Sequence, residues 1–219
     1  MNKEWSALNK EFQKQTEKEA TFREGIVTLL ELRRQLMDVL LSFRDELERE
    51  DFNAMPFMNA DGFHSKTIAY SVWHIFRIED IVAHTLIKGD EQVFFAGGYR
   101  KRIGSPIITT GNELAGGEIA DFSSQLNIDE LYNYSTEVMA GTDALLESLC
   151  FEDLKKGISA QRKESLRSLN VVSGDENAAW LVDYWCGKNI KGLLRMPFSR
   201  HWIMHTEASL RIRAKLKKH

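Results

Sequence analysis

The sequence predicts an all-α protein, and three observations lead there. Only three prolines occur in 219 residues, at positions 56, 106 and 197, so long stretches carry no obligatory helix breaker. Apolar residues recur at three- and four-residue intervals among charged ones, which is the period of an amphipathic helix. Capping residues and glycines sit where the periodic stretches begin and end, and each proline falls at such a boundary.

Trp5, Leu8 and Phe12 share one face of a short first helix, an N-terminal appendage over about residues 1–20. From about Thr21 to Asp51, Ile26, Leu29, Leu30, Leu36, Leu40 and Phe43 mark a long amphipathic helix. A second main helix is expected from about Lys66 to Lys88, with Gly62 before it and Gly89 closing it. Ile68, Val72, Ile75, Ile78, Ile81, Val82 and Leu86 embed that helix on more than one side. Over about residues 89–126 the period breaks at Gly97-Gly98, Gly104-Ser105-Pro106 and Gly116-Gly117. Val93, Phe94, Phe95, Tyr99, Ile103 and Ile107 are costly to leave in water, so this is an ordered connection, either the roof of a pocket or a plain crossover strap.

The third main helix starts at Asn127-Ile128-Asp129-Glu130, where Asn127 can cap and Glu130 can reach back. Leu131, Tyr134, Val138, Leu145 and Leu149 mark its buried face. A polar stretch after Lys156-Gly157 leads to a Trp-rich helix at about 176–194, opened by Asp175 and carrying Trp180, Leu181, Tyr184, Trp185, Ile190 and Leu193. Pro197 or Ser199 begins the last helix, with His201, His205, Ala208 and Ile212 on one side. The chain reads as one domain, its bundle spanning about 21–216.

Composition narrows the function classes. A hydrophobic fraction of 43% and a charged fraction of 28% are those of a folded globular protein. A net charge of −3 offers nucleic acid no general attraction, and Arg211, Arg213, Lys215, Lys217 and Lys218 at the end of the last helix complement its dipole. No apolar run of membrane-spanning length and no apolar leader is present, so a cytoplasmic protein without a membrane partner is expected. Cys150 and Cys186 show neither a disulfide framework nor metal-ligand spacing.

The chemistry-bearing feature is His201-x-x-x-His205, because four residues slightly exceed one helical turn and aim both rings at one point. Two imidazoles hold a metal weakly, so a third ligand is needed, and His74 is the candidate, sharing a face with Tyr70, Ile78 and Ile81. The spacing also fits a simpler reading, two polar residues on a helix and one hydrogen-bonded core histidine. His84 lies about 80° around the helix from His74, and with His64 it reads as structural or surface. Tyr70 and Arg77, on nearby faces, and Trp202 beside the pair are candidates for the substrate pocket. Glu79 and Asp80 face away from His74. Glu-x-x-His, His-Glu-x-x-His and Gly-x-Ser-x-Gly are all absent, which removes di-iron carboxylate, metalloprotease and serine-hydrolase arrangements.

The helical order, Val72-Trp73-His74-Ile75 on the second main helix, Thr110-Gly111-Asn112-Glu113 before the third, and the final His-x-x-x-His helix resemble the DinB/YfiT-like superfamily of four-helix bundles. The resemblance covers about Thr21 to Leu216, and the chain departs from shorter members by its N-terminal segment and by the helix at 176–194. It implies a metal triad at His74, His201 and His205, binding a divalent ion, zinc or nickel above all, with open positions for water or substrate. It further implies a homodimer and a small-molecule substrate. The leading activity is transfer to or from a low-molecular-weight thiol, with metal-bound thiolate as nucleophile. A hydrolase using metal-bound water, or a non-enzymatic, metal-stabilised stress-response or interaction protein, are the alternatives.

Overall fold

In a computed structural model, which describes residues 2–59 and 64–217, the protein is helical, with no β-strand among the described residues. Gly62 and Lys218 lie outside the described residues. Helix α1 spans Lys3–Gln15; the Asn2 side chain accepts from the amides of Glu4 and Trp5 and so caps two otherwise unpaired donors. Trp5 and Phe12 bury its apolar face against α2, Glu19–Glu46. Along α2, Phe22, Ile26, Leu29, Leu36, Leu40 and Phe43 are buried. Full burial of each such side chain is worth about 1.5–3 kcal/mol. The helix stops at Glu46 rather than Asp51, because Leu47 turns extended and Asp51 folds back to accept from the Glu48 amide in a separate turn, Arg49–Asn53.

Helix α3, Ile68–Asp80, has every residue buried and is capped by Thr67 Oγ1, which accepts from the Tyr70 amide at 2.9 Å. It continues as a wider π-helical segment, Ile81–Lys88, to Gly89, whose left-handed backbone (φ 76°) ends it. The connection that follows is ordered and partly helical: α4 Val93–Ala96, α5 Tyr99–Ile103 and α6 Gly117–Gln125. Asp80 anchors its start by accepting from the amides of Val93 and Phe94.

Asn127 caps α7, Ile128–Ser148, as its sequence implies. Glu130 does not close the expected box; it pairs with Arg102 at 2.8 Å, and a cation outbids a neutral amide for a carboxylate. The stretch read as merely polar holds α8, Ala160–Ser168, which buries only Leu166 and therefore shows almost no apolar period. The Trp-rich segment is two helices, α9 Glu176–Cys186 and α10 Ile190–Arg195, since Asn189 caps a new start just past Gly187. A π-helical turn at Met196–Arg200 leads into α11, His201–Leu216.

The long helices α2, α3, α7 and α11 enclose the core: α3 packs on α7 and α11, and α2 packs on the same two. A buried ion pair binds three of them. Arg33 of α2 makes a bidentate pair with Glu79 of α3 (both bonds 2.8 Å), and Glu79 also accepts from Trp202 Nε1 of α11 at 2.7 Å. Arg33 Nε reaches Asp143 of α7 at 2.6 Å, bringing in the fourth helix. No helix among the described residues is long and apolar enough to cross a membrane.

Candidate metal centre

Embedded α3 and the start of α11 bring His74, His201 and His205 together. Their ring centroids form a near-equilateral triangle with sides of 4.9, 4.8 and 4.6 Å. Each ring offers one nitrogen, and the three nitrogens lie within 4.8 Å of one another. All three rings are buried, at 5%, 7% and 4% exposure.

The orientation of His74 is set from outside the triangle. Its Nδ1 lies 2.7 Å from the carbonyl oxygen of Thr110, an acceptor only, so Nδ1 carries the proton and Nε2 keeps its lone pair. Tyr70, one turn earlier, stacks on the His74 ring (centroids 5.3 Å apart, planes within 15°) and donates its hydroxyl to the Gly111 carbonyl at 2.9 Å. Gly111 is confined to glycine twice over: its φ is +80°, and a Cβ there would sit 3.0 Å from the Tyr70 ring. The segment Thr110-Gly111 is thus a clamp on Tyr70 and His74 of α3.

Burial keeps the triad uncharged. Desolvation pulls the His74 pKa down to about 4, against an opposing contribution from the Thr110 hydrogen bond. His201 and His205 are pushed well below the ordinary value, by burial first and then by the neighbouring histidines. Three neutral imidazoles are the form in which histidine binds a metal, and this donor set suits zinc, nickel and related divalent ions. His201 Nδ1 is buried with no hydrogen-bond partner, a costly state for a ring nitrogen unless something else engages it. The residues fit a divalent cation. No fourth histidine, cysteine or carboxylate joins the cluster among the described residues, so the protein's own ligands leave coordination positions open.

The histidines line a cavity of about 590 Å³, within the range of small-molecule sites. Asn112, Leu114 and Gly116 also line it, so the 89–126 connection acts as a roof over a pocket. Helix α9 contributes Trp180, Leu181, Tyr184 and Trp185.

Of the pocket residues expected beside the triad, Tyr70 lines the cavity, whereas Arg77 and Trp202 do not. Arg77 is fully buried: it donates to the Ile108 carbonyl and to Gln92, pairs with Asp80 and lies over the Phe94 ring. A guanidinium withdrawn from water needs such partners, and they face the core. Trp202 is held by its bond to Glu79 and by the Arg33 guanidinium 4.7 Å from its ring. His64 and His84 remain outside the cluster; His84 Nδ1 pairs with Asp90 at 2.7 Å. Lys66 lines the cavity and was not singled out by any spacing, since it lies just outside the first turn of α3. No protein-family model matches the chain, and no curated protein matches its sequence.

Proposed function

We propose that the protein is a divalent-metal-dependent enzyme of the DinB/YfiT-like type acting on a small molecule, with S-transfer involving a low-molecular-weight thiol as its reaction class. The observation that carries this reading is the three-histidine cluster facing a cavity of about 590 Å³ without a fourth protein ligand among the described residues. A site that served only to tie α3 to α11 would be closed by such a ligand, as structural zinc sites are. A divalent ion on three neutral imidazoles supplies Lewis acidity, lowering the pKa of a thiol or water that takes an open position.

The chain's own residues contribute orientation and environment. The Thr110 carbonyl fixes the tautomer of His74. Tyr70 serves as a positioning residue, because its hydroxyl is already committed to Gly111 and burial pushes its pKa well above the ordinary phenol value. Lys66 places a cationic side chain on the wall, which favours anions. Trp180, Tyr184 and Trp185 cover the cavity with aromatic surface, limiting the water that competes with a bound nucleophile.

Elemental analysis of untagged protein purified without added metal tests the reading. Wild type is expected to carry about one divalent ion per chain, and His74→Ala, His201→Ala and His205→Ala each to lose it. Metal-free wild type that also gains no thermal stability from added divalent ions would overturn it. With metal in place, no acceleration of thiol transfer to an electrophile across a panel of small thiols would remove the transferase and leave the hydrolase.

A further inference from the structure

The composition of the cavity wall defines what it can hold. Among its described lining residues are one lysine and three histidines, and neither an aspartate nor a glutamate. Lys66 is half-buried, with its Nζ 4.8 Å from the centroid of the Tyr70 ring, and it forms no ion pair with the described residues. Burial lowers its pKa, so an anion beside it would relieve an unfavourable state. The Tyr70 ring beside Lys66 stacks on His74, and Lys66, Tyr70, His74 and His205 all line the cavity. The ammonium and the histidine cluster therefore share one end of the cavity.

Ser65, Asn112 and Asn177 add neutral polar groups, and most of the remaining wall is apolar or aromatic. Trp180 lines the cavity yet remains 51% exposed, packs edge-on against Tyr184 (centroids 5.4 Å apart), and has its indole N–H already donated to the Asn177 carbonyl. Its remaining surface is apolar and uncovered. Leu181 and Tyr184 extend that surface within the cavity.

We infer that the cavity binds a small amphipathic carboxylate, its anionic head between Lys66 and the histidine cluster and its apolar body along Trp180, Leu181 and Tyr184. The inference rests on the cavity being the active site, and it names the class of substrate.

Calorimetric titration of the protein as purified, with 3-phenylpropionate, 3-phenylpropionamide and propionate as probes, tests it. Wild type should bind the aromatic acid at least about tenfold more tightly than either the amide or the short acid. Lys66→Gln should erase the preference for acid over amide, and Lys66→Arg should keep it. Trp180→Ala should erase the preference for the phenyl group. An acid-to-amide ratio unchanged by Lys66→Gln overturns the inference. If that ratio instead collapses only when a chelator strips the metal, the ion alone holds the anion: the metal reading survives and the role of Lys66 is refuted. A Lys66-dependent ratio in protein that carries no metal supports the carboxylate site while the metal reading fails.

Discussion

Gly111→Ala isolates the clamp that joins fold to site. A non-glycine residue in the left-handed region costs about 1–2 kcal/mol, and Gly111 has φ +80°. The added Cβ would meet the Tyr70 ring at 3.0 Å, so ring or loop must yield by a few tenths of an ångström. That shift strains the 2.9 Å bond from Tyr70 Oη to the Gly111 carbonyl, worth about 1 kcal/mol net. Together the loss is about 2–3 kcal/mol, a fall in Tm of roughly 4–12 °C for a domain of this size. The neighbouring Thr110 carbonyl moves with the loop and leaves His74 Nδ1 poorly paired. Loss of such an outer partner lowers metal affinity by about 10–100-fold. Thermal unfolding and chelator competition measure both effects. Gly98→Ala is the control: its φ is +61° and nothing lies within 4 Å of its added Cβ, so it should cost the backbone penalty and leave metal affinity unchanged. If Gly111→Ala matches Gly98→Ala in both assays, the clamp plays no part in holding His74.

Arg33→Met should cost about 3–5 kcal/mol in urea unfolding, because it strands the buried Glu79 carboxylate. Adding Glu79→Met should restore most of that stability, and a single variant within about 1 kcal/mol of wild type would refute the account. In chelator-treated protein the triad makes stability pH-dependent, since folded-state pKa values lie below the unfolded value near 6.5, with His74 at about 4. The unfolded chain then binds more protons, so stability is complete above about pH 6.5 and declines toward pH 4. The slope is at most about 1.4 kcal/mol per pH unit for each histidine. His74→Gln should flatten the slope over that window in denaturant titrations at several pH values; an unchanged slope would show that His74 is not held neutral.

Much of this architecture was legible locally. The three- and four-residue period located the four long helices, and Asn127, Gly89 and Pro197 fell near three of their limits, because caps and breakers act through the backbone within a turn, whereas Pro56 and Pro106 lie in connections away from them. The face shared by His201 and His205 followed from helical geometry alone. The sequence carries one signal of the buried network: Arg33 occupies the apolar stripe of α2 between Leu29 and Leu36, where a charge demands a buried partner. Residue order could not supply that partner. Glu79 lies 46 positions away, and only the packing of α2 and α3 on their shared neighbours α7 and α11 turns it toward Arg33.

The division is one of range. Sequence by itself determined an all-helical chain with two histidines on one face, since both depend on interactions within a few residues. Tertiary structure decided that His74 completes the triangle and that Arg77 and Trp202 turn into the core. It also decided that Lys66 and the aromatic face of α9 share one cavity wall. Those outcomes rest on which distant polar groups and apolar faces become neighbours when the helices pack, and no local period records that.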